Sequence, residues 1–156
     1  MNFKEKAVIF LATGCFLGNV PFAPGTFGSL LGIPLCLALS KTDVFVAALL
    51  TLLFIVIAIW IAHIAEKAFD NTDPGNIVID EIAGMAVTFI GVPFNLVSVV
   101  CGFLLFRVLD IAKPFPIRRL DRSLSGGVGI VLDDVVAGIY SNLILRLAYR
   151  LIEMSG

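Results

Sequence analysis

Residues 44–62 read VFVAALLTLLFIVIAIWIA, a run of about 19 residues without a charged side chain. A transmembrane helix needs about 20 predominantly apolar residues to cross a hydrocarbon core about 30 Å thick. The run therefore predicts a membrane-spanning helix, and it is the clearest such segment in the chain.

The composition of the whole chain agrees with a membrane protein. Of its 156 residues, 59% are hydrophobic and 15% are charged, and the mean hydropathy is +1.03. A soluble domain is about half apolar and a quarter charged, so this chain has too little charge to cover a surface that faces water. The net charge of −1 excludes a basic nucleic-acid-binding protein. The length predicts a single domain over residues 1–156.

Shorter apolar stretches before the spanning helix predict two more helices. Residues 7–18 are too few to cross a bilayer upright. A second helix is expected to begin with Thr26 as its N-cap and to run to about Ser40, with a kink at Pro34. Glycines four residues apart, at 28 and 32 among others, predict close contact between helices.

The second half of the chain predicts short or broken helices. Residues 63–81 are interpreted as a polar connection, and residues 82–106 as two helices separated by Gly91-Val92-Pro93. A short helix carries residues 118–122, residues 126–129 form a flexible loop, and the last helix covers 130–152. The predicted fold class is all-α: an integral membrane helical bundle with a charged site at one membrane face.

Five acids adjoin these apolar helices. Ionisable residues near membrane depth are costly and are candidates for function. Carboxylates that share a low-dielectric site repel one another, and a hard divalent cation removes that penalty. Magnesium prefers oxygen ligands and often bridges carboxylates to a phosphate. Helix capping is the alternative for Asp80 and Glu81. The five are Asp80, Glu81, Asp110, Asp133 and Asp134.

Basic residues are interleaved with these acids. Arg107, Asp110 and Lys113 are spaced three apart and share one helix face, and Arg118 and Arg122 lie one turn apart. Guanidinium and ammonium groups suit a phosphate and the charge that develops on it. Anchoring in lipid headgroups is the alternative, but the mixture with acids favours a site for a phosphate and a metal ion.

The segment Pro24-Gly25-Thr26 leads into an apolar helix. Amide groups at a helix N-terminus bind anions, glycine allows the backbone to come close, and Thr26 adds a hydroxyl group. A plain N-cap is the alternative interpretation. The segment lacks the GxxxxGK[ST] pattern of a P-loop.

The single histidine and the three cysteines give no signal for a metal or a redox site. Cys15, Cys36 and Cys101 form no CxxC pair and are predicted to be small buried hydrophobic residues. His63 follows the spanning segment and is interpreted as an interface or capping residue.

Four sequence blocks resemble the phosphatidylglycerophosphatase A family. They read PGTFGSL at 24–30, IVIDEIAG at 77–84 and FRVLDIAKPFPIR at 106–118, and the last runs from Asp121 to Gly138 with GGVGI and DDVVAG inside it. The blocks cover nearly the whole chain in the same order as in that family. The resemblance implies a bacterial inner-membrane enzyme that hydrolyses phosphatidylglycerophosphate to phosphatidylglycerol and phosphate with Mg²⁺.

Roles for the charged residues follow from the acids, the bases and this resemblance. Magnesium is predicted to bind Asp80, Asp110 and Asp133 or Asp134. A remaining carboxylate, Glu81 or Asp134, takes a proton from the attacking water, although an aspartyl nucleophile is left open. The predicted catalytic residues are thus Asp80, Glu81 and Asp134, and the predicted substrate-binding residues are Thr26, Arg107, Lys113, Arg118 and Arg122.

The topology prediction places both charge clusters on the cytoplasmic side of a multi-pass protein. Lys4, Lys6 and the arginine-rich segment favour that side, and residues 82–106 must then return as a hairpin. The expected partners are phosphatidylglycerophosphate and membrane lipids, and the oligomeric state is left open. The alternative function is a small membrane transporter or ion channel that uses the intramembrane carboxylates.

Overall fold

The computed structural model describes residues 3–69 and 74–155, with the backbone alone described for Phe3 and for residues 120–122. In those ranges it contains seven α-helices, a 3₁₀ turn and no β-strand, which confirms the all-α prediction. The elements are α1 Phe3–Ala12, a 3₁₀ turn Leu17–Asn19, α2 Pro24–Leu39, α3 Val44–Phe69, α4 Ile79–Thr88, α5 Leu96–Ala112, α6 Ile117–Ser123 and α7 Gly126–Ser155.

Helices α3 and α7 are long and apolar enough, by length and composition, to cross a membrane. Only 22% of the most apolar window of α3 is buried in the bundle. The core helix of a soluble protein is mostly buried, whereas α3 exposes large side chains such as Phe45, Leu53 and Trp60. A bilayer is the environment that accepts such a surface.

Helix α3 is longer than the sequence predicted. It has 26 residues and ends at Phe69, so the prediction that the polar connection begins at residue 63 is wrong. Alanine, glutamate and lysine in this segment are good helix formers, and the buried Ala65 packs into the core. Charged residues ended the apolar run without ending the helix.

Helices α4 and α5 form the predicted hairpin. The 10 residues of α4 correspond to about 15 Å, half the thickness of a bilayer core, so α4 does not span. The α4 C-terminus is held by α7, because Asn142 Nδ2 donates to the carbonyls of Thr88 and Ile90 at 2.9 Å. The first turn of α4 and the last turns of α5 consequently lie at the same end of the bundle.

The segment 126–129 is the first turn of α7 and not the flexible loop that its glycines predicted. A methyl group added at Gly127 would lie 2.1 Å from the Ile59 carbonyl oxygen and 2.6 Å from the His63 amide nitrogen. Glycine is needed there because α7 crosses the backbone of α3 at close range.

The N-terminal half differs from the prediction in two boundaries. Helix α1 ends at Ala12, well before residue 18. Helix α2 begins at Pro24, and its N-cap is Ala23 in a left-handed conformation, so the prediction that Thr26 is the N-cap is wrong. Proline fits the first helical position because its fixed φ suits the helix and its missing N–H has no partner there.

The prediction that all three cysteines are buried is wrong for two of them. Cys36 is buried as predicted, whereas Cys15 and Cys101 are exposed. An apolar run in a membrane protein has a lipid-facing side as apolar as its buried side, so an apolar neighbourhood does not predict burial.

Candidate active site

Three carboxylates meet where α4 crosses α7. Asp80 and Glu81 belong to the first turn of α4, and Asp134 lies in α7. One oxygen from each of the three can be chosen so that all lie within 4.8 Å of one another. Asp80 is 9% exposed and Asp134 is 3% exposed, so this acid cluster is enclosed by the bundle.

A pair of glycines explains why the helices bring these acids together. Gly84 lies one turn after Asp80, and Gly138 lies one turn after Asp134. A methyl group at Gly138 would be 2.4 Å from the Gly84 carbonyl oxygen, and one at Gly84 would be 2.8 Å from the Asp134 carbonyl oxygen. The two backbones touch at the glycines, and the acids one turn earlier face each other across the crossing.

The acid cluster has the electrostatics of a cation site. Asp80 Oδ1, Glu81 Oε2 and Asp134 Oδ2 are buried without a hydrogen-bond partner among the described residues. Burial raises the pKa of Asp80 well above its usual range, and the neighbouring Glu81 charge raises it further. Burial also raises the pKa of Glu81, against the lowering effect of its hydrogen bond with Asp80. Uncompensated buried oxygens of this kind fit a hard divalent cation.

The first two acids do not act as helix caps. The N-cap of α4 is Val78, and no side chain caps the helix. Their carboxylates instead point into the cluster with Asp134. Both acids nevertheless lie in the first turn of α4, where a carboxylate also suits the helix dipole, so this electrostatic alternative is met alongside the cluster.

Arg107 and Asp110 lie beside the acid cluster. Arg107 Nη1 is 2.5 Å from Asp110 Oδ2 and 3.9 Å from Glu81 Oε1. Both groups come from the last turns of α5, one turn apart on the same face. Asp110 thus holds the guanidinium group beside Glu81, and whether Asp110 also binds a metal ion stays a prediction.

The N-terminal turn of α2 completes this side of the site. A methyl group at Gly25 would lie 2.1 Å from Glu81 Oε1 and 3.1 Å from both terminal nitrogens of Arg107. Gly25 therefore packs directly on the Glu81–Arg107 pair. Thr26 follows as a half-buried residue, which brings the Pro24-Gly25-Thr26 segment to the acids as the sequence predicted.

On the opposite side, Lys113 joins the end of α5 to α7. It terminates α5 in a left-handed conformation with φ of 43°. Its Nζ lies 2.6 Å from Asp133 Oδ2, so the side chain of Asp133 is turned to the lysine while that of its neighbour Asp134 faces the cluster. Metal binding by Asp133 likewise stays a prediction.

Comparison with known families agrees with this arrangement. The sequence profile of the family described as phosphatidylglycerophosphatase A matches residues 10–149. The chain belongs to the phosphatidylglycerophosphatase A family. The sequence-based predictions of that family and of a phosphatase are therefore confirmed, and the transporter or channel alternative is not favoured.

Three curated relatives resemble the chain over most of their length. Phosphatidylglycerophosphatase A of Escherichia coli (strain K12) is 41% identical over 136 residues, which cover 86% of this chain and 79% of the relative. The Haemophilus influenzae protein of the same name is 36% identical, with 86% and 84% covered. A Bacteroides thetaiotaomicron protein named "Putative phosphatidylinositol-3-phosphatase" is 37% identical over 148 residues, with 90% and 92% covered. No solved structure matches the chain.

In this phosphatidylglycerophosphatase A family member, Arg118 and His63 make their described contacts outside the acid cluster. Arg118 is exposed on α6, and its Nη2 donates to the Ala112 carbonyl oxygen at 3.2 Å. The Arg122 side chain lies outside the described residues. His63 is exposed and packs against Gly126 at the start of α7, on the same side as Glu66.

The residues missed by sequence reasoning in this family member are Gly84 and Gly138. Both lie within quoted blocks, but neither was assigned a role, because a glycine carries no chemistry of its own. The signal that could have found Gly84 and Gly138 is their common spacing of four residues after an acid.

Proposed function

We propose that this chain hydrolyses phosphatidylglycerophosphate to phosphatidylglycerol and inorganic phosphate, and that the reaction depends on Mg²⁺. The observation that carries the proposal is the acid cluster of Asp80, Glu81 and Asp134, buried beside Arg107. A phosphatase has to stabilise charge on the phosphoryl oxygens, and positioned cations do most of this work in phosphoryl transfer.

The buried oxygens of the acid cluster fit magnesium. Asp80, Glu81 and Asp134 would hold the ion, with Asp110 and Asp133 as further candidate ligands. When bound, Mg²⁺ supplies Lewis-acid polarisation of a phosphoryl oxygen and lowers the pKa of bound water. Hard carboxylate oxygens without sulfur or nitrogen ligands favour magnesium or a similar cation over zinc.

The chain's own cations bind the phosphate. Arg107, held in place by Asp110, presents its guanidinium group at the edge of the acid cluster. Lys113 lies at the other edge, oriented by Asp133. Together with the N-terminal turn of α2 at Thr26, these groups neutralise the phosphate oxygens and fix their orientation.

A carboxylate of the acid cluster serves as the general base. Glu81 or Asp134 accepts the proton of the attacking water as the bond from phosphorus to the glycerol oxygen breaks. The water oxygen bonds to phosphorus, so the phosphoryl group leaves as inorganic phosphate, and the proton taken up by the carboxylate passes to the released glycerol oxygen to give phosphatidylglycerol. Burial keeps bulk water away from this step and strengthens each charge interaction.

We place the enzyme in the bacterial inner membrane with the acid cluster facing the cytoplasm. The exposed apolar surface of α3 supports insertion in a bilayer. The basic residues of α5 and α6 lie at the same end as the acids and favour the cytoplasmic side.

Phosphate release by the purified protein in detergent tests the proposal. We expect release from phosphatidylglycerophosphate with Mg²⁺ and none with excess chelator. Asp80→Ala and Asp133→Ala should each abolish turnover while the protein stays folded, because each removes a group from the site. Glu153→Ala, at an exposed acid near the far end of α7, is the matched control. Full activity in either site variant defeats the assignment.

A substrate panel separates the remaining candidates. The Bacteroides relative's name makes phosphatidylinositol 3-phosphate the competing substrate, and phosphatidic acid is the minimal lipid phosphomonoester. We expect the highest kcat/KM with phosphatidylglycerophosphate. A higher value with the phosphoinositide would overturn the substrate assignment and leave the phosphatase chemistry intact, whereas no release from any lipid would favour a transporter or channel.

A further inference from the structure

A pocket lies at the junction of α5 and α6. Its volume is about 460 Å³. This junction pocket is separate from the carboxylates of the acid cluster, and among the described side chains it is lined by Lys113, Pro114, Phe115, Arg118, Arg119 and Ser123.

The lining of the junction pocket is cationic. Three of its six described side chains are basic, and none is acidic. Arg118 and Arg119 are both exposed, so their guanidinium groups are accessible to a ligand from outside the bundle. A planar, permanently charged guanidinium group is well suited to a phosphate oxygen pair.

Lys113 connects the two sites. It lines the junction pocket, and its Nζ lies 2.6 Å from Asp133 Oδ2, next to Asp134 of the acid cluster along α7. A ligand that extends past Lys113 can therefore present one end to the carboxylates and the other to the arginines.

The surroundings of the junction pocket suit a lipid. Phe115 lies on its wall and is 76% exposed. An exposed aromatic ring beside basic side chains is typical of the membrane–water interface, where headgroups meet the hydrocarbon. A phospholipid carries its phosphodiester group at that interface, so these surroundings suit it.

We infer that the junction pocket binds the lipid phosphodiester of the substrate while the acid cluster acts on the terminal phosphomonoester. The inference rests on the proposed function. Phosphatidylglycerophosphate carries both groups, separated by one glycerol unit. The terminal monoester occupies the acid cluster, so the uncleaved diester needs cations of its own. The basic side chains of the junction pocket supply them.

The assignment of the diester and the monoester to two separate sites predicts which substrates the enzyme selects. A phosphoinositide monophosphate also has a phosphodiester and a separate phosphomonoester, whereas phosphatidic acid has a single phosphate and cannot occupy both places. Arg119 is thus a specificity-determining residue that touches the diester, and it favours headgroups that carry two phosphates.

Binding of the reaction product tests this inference without turnover. Short-chain phosphatidylglycerol keeps the diester and lacks the monoester, so titrating it into the purified protein in detergent probes the junction pocket. We expect Arg119→Gln to raise the Kd about tenfold. Arg150→Gln, which removes the same charge from an exposed position at the far end of α7, should leave the Kd unchanged. Unchanged binding in Arg119→Gln, or an equal loss in both variants, overturns the inference.

Steady-state rates give an independent readout. We expect Arg119→Gln to lower the ratio of kcat/KM for phosphatidylglycerophosphate to that for phosphatidic acid by about tenfold, through a higher KM, and Arg119→Lys to restore part of it. Inorganic phosphate occupies the acid cluster, so its inhibition constant should be the same for Arg119→Gln as for the wild type. An unchanged ratio contradicts the inference. If the wild-type protein binds phosphatidylglycerol through Arg119 but releases no phosphate, the proposed function fails and the binding site stands.

Discussion

Buried carboxylates govern the site at the scale of single residues. Asp80 and Asp134 are almost fully buried, and each has an oxygen without a hydrogen-bond partner among the described residues. Such groups lower the stability of the folded protein when they are charged and no cation is bound. Function and stability therefore oppose each other at these positions.

Asp80→Asn should show this opposition. The amide is neutral, so we expect the variant to lose more than about a hundredfold in kcat. In excess chelator near neutral pH it should melt at a higher temperature than the wild type, because it no longer buries that charge. Phosphate release and thermal unfolding in detergent measure the two effects, and a lower melting temperature would contradict the prediction.

The pH dependence of the same melting curves follows from the raised pKa of Asp80. The folded state binds a proton at pH values where the unfolded state has released it, so stability falls as pH rises. In chelator, the wild-type melting temperature should fall more steeply than that of Asp80→Asn as pH rises above the usual pKa of a carboxyl group. Parallel curves would show that Asp80 does not contribute.

Gly25→Ala should damage the site without unfolding the protein. The added methyl group would lie 2.1 Å from Glu81 Oε1, the end of a flexible side chain. Glu81 and Arg107 can move away, and a displacement of about 1 Å can cost about a hundredfold in rate. We expect a large loss of kcat and an unchanged melting temperature. Gly75→Ala, with nothing within 4 Å of the added methyl group, is the control and should behave as the wild type.

Most of the site residues could be predicted from the sequence, since charged side chains stand out in an apolar chain. Asp80, Glu81, Asp134 and Arg107 do meet in space, and the turn that contains Thr26 reaches them through Gly25. What could not be predicted is that both Asp80 and Glu81 face the cluster, whereas of the second pair only Asp134 belongs to it. That choice depends on helix rotation, and the glycine contact between α4 and α7 sets the rotation.

At the scale of helices, glycine contacts decide the geometry. Gly28 and Gly32 of α2 lie against Val78 and Met85, in agreement with the predicted close packing. Gly84 and Gly138 likewise allow the backbones of α4 and α7 to touch. Apolar side chains do not drive association in a lipid environment, so close backbone approach contributes much of the packing energy.

Gly84→Ala should separate α4 from α7. Its methyl group would lie 2.4 Å from the ring of Phe106 and 2.8 Å from a backbone oxygen, and neither atom can move cheaply. We expect a loss of about 1–3 kcal/mol in stability together with loss of activity. Gly84→Ala should thus lose both stability and activity, whereas Gly25→Ala should lose activity alone. A melting temperature of Gly84→Ala equal to that of the wild type would contradict the assigned contact.

Helix boundaries were the weakest part of the sequence-based prediction. Glycines at 126–129 indicated a loop, yet they begin α7 because α3 passes too close for any side chain. Charged residues after Ala62 indicated a connection, yet they continue α3 to Phe69. At the start of α7 a contact between helices outweighed a local preference, whereas α3 continues because its residues favour a helix and Ala65 packs into the core.

At the scale of the whole molecule, the described helices place the functional groups at one end. The first turns of α2 and α4, the last turns of α5, and the beginning of α7 meet there. The opposite end carries Gly91 packed against Val44 and Arg146. A single domain over residues 1–156 and the number of membrane crossings stay predictions.

Cysteine labelling tests this arrangement in membranes. In a background with Cys15, Cys36 and Cys101 replaced, Asn76→Cys and Ser123→Cys should react with an impermeant maleimide from the same side. Ser40→Cys, at the end of α2, should react from the other side. Opposite labelling of positions 76 and 123 would contradict a common site.

The hairpin of α4 and α5 has a consequence for where the enzyme finds its lipid. Because both helices bring their charged turns back to one end, a phospholipid anchored in the far leaflet holds its headgroup a full bilayer thickness away from the carboxylates. Such a molecule would have to flip across before it could be dephosphorylated. Supply of substrate is thereby tied to the leaflet in which it is synthesised.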